Sequence, residues 1–546
     1  MREAIVKIPL KGKGLPPLKR DVSQVGVSRL VNMKPEGDGL VPAYMESDLL
    51  ASLFAYPTQL KSHHEIKVFF GNELSASGKT NNMYILRPNA AGYYELTKNS
   101  FVLNRSTMTV STGSVTSIKT FSTDNNYPAV VESEGVVLIS NGVSNVIIHK
   151  TNAYADVVDS TALPKFKVGC YFNGQFIVGN IQQGSTIGNG QATIMWSDIG
   201  NYDFTAGMEN ILNTCTDQVG LTYSDTQITS TDNTIGYAIL PANCTIVGLH
   251  TLGDGILICT SGGLFKMSPV ENMWGIQRLS YNTCVDSCLG DNQVIFLDRT
   301  DNSIFRVGSD WQVSELGYKY LFSSMISPLY QMTYFPLRKE FQIYQYKFAS
   351  VDAANVNAVP SAEYNFLLGT DGLYQTTYKI LCDEIIPPYI QSAGTVSINS
   401  DNVNFSDRIR IVRTTNSMQD GIVGIGSTTL GLLDSFNVRH VKLISKVGTN
   451  KTVGTSLGIT LQVKRNTSFD GTPSQEMHIG SPTKELPLKS FITYPNVSGK
   501  ELYLNLVFES DSSGTNGDIT IEELEIALIV EGSIHRRSSN AGTPNP

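Results

Sequence analysis

The chain has 546 residues, of which 41% are hydrophobic and 16% charged, and its 41 basic and 49 acidic side chains leave a formal net charge of −8. That length exceeds what one core organises and implies roughly two to four domains. The balance fits a large soluble β-protein with many turns and excludes a coiled coil or a disordered chain, while the acid surplus argues against a general nucleic-acid binder, whose affinity rests on neutralising phosphates.

In chain order, the first twenty residues are basic, with Arg2, Lys7, Lys11, Lys13, Lys19 and Arg20 set against Glu3. They read as a solvated arm, with docking onto an acidic partner as the second reading. No apolar core of signal-peptide length is visible, and no apolar run approaches the ~18 residues of a membrane span. The run Val68-Phe69-Phe70 then leads into ELSASGKT at 73–80, whose end matches the close of a phosphate-binding loop. The template needs glycine where Glu73 stands, because the loop's amides must wrap the phosphates and a carboxylate there repels them. Thr80 should also open a helix facing the anion, yet Asn81-Asn82 and the strand-like MYIL follow. The expected structure is a hairpin of KVFFGN and MYIL with a long polar loop between them.

Four segments share one shape, a short apolar strand, a tight polar turn and a second strand. They are GVVLISNGVSNVIIHK, GQFIVGN, GILICTSGGLFKM and NQVIFLDRTDNSIFRVG, starting at 135, 174, 255 and 292, with separations of 39, 81 and 37. Four strands per unit of ~40 residues is the pattern of propeller blades. In VVLIS, ILICT and VIFLD the apolar residues are continuous, as in strands covered on both faces by neighbouring blades. The turns Asn141-Gly142 and Ser261-Gly262-Gly263 suit hairpins, since Asn and Gly tolerate positive φ. A unit expected near 214 is not visible, and KVFFGN at 67 falls out of phase. Helix signals are scarce, the best being Tyr318 to Ile326, limited by Pro328.

Beyond residue 400 the texture changes to alternation. Ile459, Leu461 and Val463 alternate with polar residues, as do Leu502, Leu504, Leu506 and Phe508, and Leu524, Ile526, Leu528 and Val530. One buried face per strand predicts a β-sandwich. SSNAGTPNP reads as a flexible tail.

Several motifs imitate chemistry. GTSLG (454–458) would make Ser456 a nucleophile with Asp470 and His478 behind it, but an elbow needs strand, sharp turn and helix, and here the strand ITLQVKR follows. GIVGIGSTT (421–429) lacks the third glycine of a dinucleotide fingerprint. Asp298 and Asp301 have the residue type of a glycosidase's paired carboxylates, but in LDRTDNS they flank a turn, where Asp is an ordinary turn former. SFDGT (468–472) has the wrong spacing for a sialidase aspartate box. His63 and His64 point to opposite faces of an extended segment. The seven cysteines, at 170, 215, 244, 259, 284, 288 and 382, lack metal spacing and read as reduced thiols of a cytosolically made protein.

Three pieces together resemble one family. LVNMKPEGDGLVPAY (30–44) resembles the opening of short-tailed phage tail proteins. YFNGQFIVGN…IMWSDIGNYDF (171–204) is similar to that family's Asn-Gly hairpin followed by a Trp-Ser-x-x-Gly strand end. IVGLHTLGDGILICTSGGLFKM…LGDNQVIFLDRTDNSIFRV (246–307) resembles its successive blade strands. The family is the podovirus tail nozzle, also called tail tubular protein B or packaged-DNA stabilisation protein. The resemblance implies a homo-hexameric ring below the portal and adaptor, continuing the DNA channel, retaining the genome and carrying fibres or spikes. Double-stranded DNA would pass without sequence-specific binding.

The sequence thus predicts an all-β protein with very little helix. Its parts are a basic arm and docking segment at 1–45, a β-propeller-like domain with insertions at 46–400, a β-sandwich-like domain at 401–532 and a flexible tail at 533–546. The expected role is a structural virion protein made in the host cytoplasm, not an enzyme, with no catalytic residues, cofactor or metal. The alternative is a propeller-type tail protein that binds or cleaves carbohydrate; it would need exposed aromatics, for which Trp196, Trp274 and Trp311 are the tryptophans on offer.

Overall fold

The computed structural model describes residues 2–11, 14–18, 26–48, 54–55, 67–75, 78–88, 94–104, 109–121, 128–150, 155–156, 163–182, 190–205, 227–228, 235–241, 243–271, 273–322, 329–335, 339–347, 361–376, 395–400, 407–418, 421–427, 436–447, 458–465, 475–480, 490–495, 497–499, 502–509 and 519–530. Strands dominate them, and helix is confined to short turns such as Lys319–Phe322. That turn falls within the helix expected at 318–326, of which 323–326 lie outside the described residues. The chain divides into two compact units, one of residues 1–46, 366–378 and 414–546, the other of 47–365 and 379–413.

The second unit is the propeller-like one. Blade I comprises Lys67–Ser75, Gly78–Pro88, Tyr94–Asn104 and Thr109–Phe121. Blade II comprises Ala129–Glu132, Val136–Ser140, Asn145–His149 and Ala155–Asp156. Blade III pairs Val168–Phe172, Gln175–Gly179, Thr193–Trp196 and Gly236–Ile239, with Gln227–Ile228 as an added edge. Blade IV runs through Ile246–Leu252, Gly255–Thr260, Gly263–Val270 and Met273–Ser280, and blade V through Cys284–Gly290, Gln293–Asp298, Ile304–Gly308 and Val313–Gly317.

Continuous apolar strands are buried on both faces, as their sequence requires. Ile256, Leu257 and Ile258 are 0% exposed, and their side chains split between the core shared with blade III and the core shared with blade V. A second core joins blades I and II around Phe69, Tyr84, Val137 and Ile148, and another joins II and III around Phe166, Phe176 and Met195. Each such side chain contributes roughly 1.5–3 kcal/mol by leaving water, so blade stacking is the principal stabilising contact. The tight turn Asn173-Gly174 has φ of 48° and 83°, the left-handed pair that a two-residue hairpin demands.

Two expectations are corrected. The blades begin at 129, 168, 246 and 284, and the long gap is not a missing unit. Thr193–Trp196 and Gly236–Ile239 are adjacent strands of blade III, so the extra residues are an insertion inside one blade. KVFFGN belongs to a full four-stranded sheet of longer strands, which is why it breaks the period.

The first unit is built from both ends of the chain. The strand Ile519–Val530 pairs along its length with Phe436–Val447 and, on its other edge, with Arg2–Pro9 and with Leu40 of the Met33–Glu36/Gly39–Pro42 hairpin. The basic arm of 1–45 is therefore largely strand. Its acidic partner is the chain's own EELE segment: Lys7 Nζ lies 3.7 Å from Glu523 and 3.5 Å from Glu525, and Lys11 Nζ lies 3.8 Å from Glu522. A second sheet orders Gly372–Gln375, Val27–Val31, Gly421–Ser427, Leu502–Glu509, Gly458–Arg465 and Gln475–Gly480. Leu504, Leu506 and Phe508 are 0% exposed, as the alternation predicts, but Asn505 between them is also buried at 2%. The 533–546 tail lies outside the described residues.

Candidate functional site

The first strands of blades II to V lie side by side, and Leu329–Phe335 continues the row beyond Cys284–Gly290. No Lys or Arg occurs on these five strands. Polar ties link successive blades. Asn145 Nδ2 donates to the Leu163 carbonyl at 3.1 Å, and Asn180 Nδ2 to the Ile246 carbonyl at 3.0 Å. His250 Nε2 and Ser287 Oγ are 2.7 Å apart, and the Met332 amide donates to Asp286 Oδ2 at 2.7 Å. Burial pushes the half-buried His250 down to about 4, so the imidazole is neutral near pH 7.

Turns alternate between two rims. One rim carries the first-to-second and third-to-fourth strand turns, and it is acidic. It holds Glu132 and Glu134 in blade II, Asp198 and Asp203 in III, Asp254 and Glu271 in IV, and Asp291 and Asp310 in V. Among the described residues two cations reach it in blades II to V, Lys150 paired with Glu132 and Lys266 with Asp254. Asp254 also accepts the Trp311 indole N–H at 2.7 Å, while Lys266 Nζ sits 4.4 Å from that ring's centroid. Hydrogen bonds from Lys266 and then Trp311 lower the Asp254 carboxyl pKa.

The opposite rim carries the second-to-third strand turns and the connections between blades. Among the described residues it carries Lys165, Lys167, Arg278, Arg299 and Lys319 against Asp298, which is taken up by backbone amides, and Asp301, whose carboxylate lies 3.8 Å from Lys319 Nζ. The Arg278 guanidinium is sandwiched 4.9 Å from the Phe265 ring and 4.7 Å from Tyr281, itself 77% exposed. No carboxylate pairs with Arg278 among the described residues. Its NH2 approaches the Cys244 thiol at 3.9 Å.

The candidate motifs resolve into architecture. Glu73 pairs with Thr80, Leu74 with Lys79 and Ser75 with Gly78, so most of the expected long loop of the phosphate-loop look-alike is antiparallel ladder. Asp298 is 3% exposed and holds its own turn together. Its Oδ1 accepts the Thr283 amide at 2.7 Å, and its Oδ2 accepts those of Thr300 and Asp301 at 3.0 and 3.2 Å. GIVGIGS is a strand pairing with Leu502–Glu509. Ser456, Asp470, SFDGT, His63, His64, Cys215 and Cys382 lie outside the described residues. Cys170 is raised to about 12 by burial, and Cys284 well above its ordinary value by burial and then the Cys259 thiol, so neither is a nucleophile at neutral pH. No group of three or more His, Cys, Asp or Glu gathers as metal ligands among the described residues. The opposite signs of the rims were not anticipated; sorting turns by their order within each blade would have revealed them.

Stacked four-stranded blades with adjacent first strands define a β-propeller-like protein whose first unit is sandwich-like. No family model and no curated protein matches the sequence. Among solved structures, the chain is similar to a streptogramin B lyase at 10% identity, covering 68% of this chain and 100% of that one with a TM-score of 0.31. It is similar to the Pan2 WD40 domain of Neurospora crassa at 8%, covering 68% and 97% with a TM-score of 0.32. It also matches BamB from Moraxella catarrhalis at 9%, covering 61% and 86% with a TM-score of 0.25. Likeness of this degree carries no argument about activity.

Proposed function

We propose that the chain is a structural subunit of a short-tailed phage tail, the nozzle that extends the ejection channel below portal and adaptor, retains packaged DNA and supports fibres. The observation that carries this reading is where the family-like residues fall. Asn173-Gly174 makes the blade III turn, Trp196 is buried between blades III and IV beside Trp274 with ring centroids 6.3 Å apart, and Ser197 Oγ accepts the Phe176 amide at 3.0 Å. The segments that resemble the nozzle family are thus packing devices, which is what a mechanical component under internal pressure requires. The cation-free first strands add support, because a conduit should not grip phosphates.

In this reading the protein works by assembly as a homo-hexamer rather than by catalysis, and it resides in the virion. The tryptophans on offer to the carbohydrate alternative are otherwise engaged: Trp196 and Trp274 are 0% and 3% exposed, and Trp311 contacts Asp254 and Lys266. Electron microscopy of purified virions tests the proposal by locating the chain in a six-fold ring at the tail tip. Its absence from particles overturns it.

A further inference from the structure

The geometry points to a heterologous contact between copies of this chain, in which the basic rim of one propeller-like unit receives the acidic rim of another. The sign segregation follows from strand direction. Blades II to V present the same turns on the same side, as neighbouring rim contacts show: Gly253 abuts Ser309 on the acidic rim, and Gly142 abuts Gln182 and Lys167 on the basic one. In a chain of net charge −8, gathering five cations on one rim is a local reversal of sign.

The second observation is Arg278. Its planar faces are covered by Phe265 and Tyr281, which hold the fork in one orientation without neutralising it. A pre-positioned guanidinium accepts a carboxylate bidentately at little entropic cost. The occupant is chosen by complementarity. The opposite rim of the same molecule offers exposed carboxylates, Glu134 and Glu271 among them. The two rims differ, so the contact joins unlike surfaces and builds a ring or an open chain of copies. Solvated ion pairs are individually weak, so the contact gains specificity and rate more than tightness, and salt weakens it.

Sedimentation of the full chain at 50 mM and at 500 mM salt reads the contact directly. The expected result is self-association that weakens at least about tenfold at the higher salt. The pair Lys167→Glu/Arg299→Glu, and separately Glu134→Lys/Glu271→Lys, should each abolish it, and mixing the two variants should restore it. Restoration also proves that both variants are folded. Arg278→Ala should weaken association even if the other rim cations remain. A wild-type monomer at 50 mM salt, or association indifferent to both reversals, overturns the inference. Occupation of the basic rim by a DNA duplex, lost with Lys167→Glu/Arg299→Glu while self-association persists, overturns it equally. A virion location tested as above is independent of every one of these outcomes.

Discussion

Replacing Asp298 by alanine separates an architectural carboxylate from a catalytic one. The side chain is 3% exposed and accepts three backbone amides, from Thr283, Thr300 and Asp301, at 2.7, 3.0 and 3.2 Å. Hydrogen bonds to a charged group contribute about 1.5–3 kcal/mol each. Simple addition overstates the loss, because the three share one acceptor and Thr300 at the surface regains water. Asp298→Ala is therefore expected to destabilise blade V by about 3–5 kcal/mol. Asp298→Asn keeps one acceptor oxygen but turns an NH2 towards the remaining amide donors, for a smaller loss of about 1–3 kcal/mol. Hydrogen exchange of the Thr283, Thr300 and Asp301 amides is the assay, since it reports this turn without assuming that the whole chain unfolds in one step. Protection should fall at least about 100-fold in Asp298→Ala, corresponding to ~2.7 kcal/mol. Unchanged protection with loss of a glycan-cleaving activity would refute the reasoning and restore Asp298 as a catalytic residue.

Other expectations follow from the same contacts. His250 takes up a proton near 6.5 when unfolded but only near 4 when folded, so stability is full above 6.5 and is lost as pH falls through that window. The loss reaches about 3 kcal/mol below pH 4 at ~1.36 kcal/mol per unit, and His250→Gln should flatten that part of a denaturant-midpoint-versus-pH profile. A Cβ on Gly290 would fall inside the Tyr334 ring, so Gly290→Ala should cost about 1–3 kcal/mol in urea unfolding, with part recovered by Tyr334→Leu. Removing residues 1–11 strips the eight-residue ladder from Ile519–Val530 and uncovers an edge strand, along with the burial of Ile8 and Leu10, 4% and 0% exposed. The expected outcome is about 3–6 kcal/mol of lost stability and concentration-dependent aggregation in size-exclusion chromatography; unchanged behaviour contradicts the assignment.

Much of the propeller was legible because its signals are local. VVLIS and ILICT announce strands covered on both faces, and Asn173-Gly174 announces a tight turn, since each depends on neighbours only a few residues away. The look-alike at 73–80 was also decidable, because a Glu at the first position spoils a phosphate cradle whatever the fold. The turn residues around Asp298 were ambiguous: an Asp in a turn and an Asp in an active site have the same letters. Only the placement of the Thr283 amide, fifteen residues away, shows what the carboxylate holds.

The amino-acid pattern by itself determined strand texture, turn chemistry and the change from continuous to alternating burial beyond residue 400. Tertiary structure alone decided which strands meet. Arg2–Pro9 finds Glu523–Val530 across more than five hundred residues, turning an apparent basic arm into a strand with its acids supplied by EELE. Gly236–Ile239 rejoins Thr193–Trp196 after an insertion that breaks the repeat. Backbone preference and burial period are set within a few residues, whereas pairing partners and the sign of a rim depend on which edges and turns the rest of the chain leaves side by side.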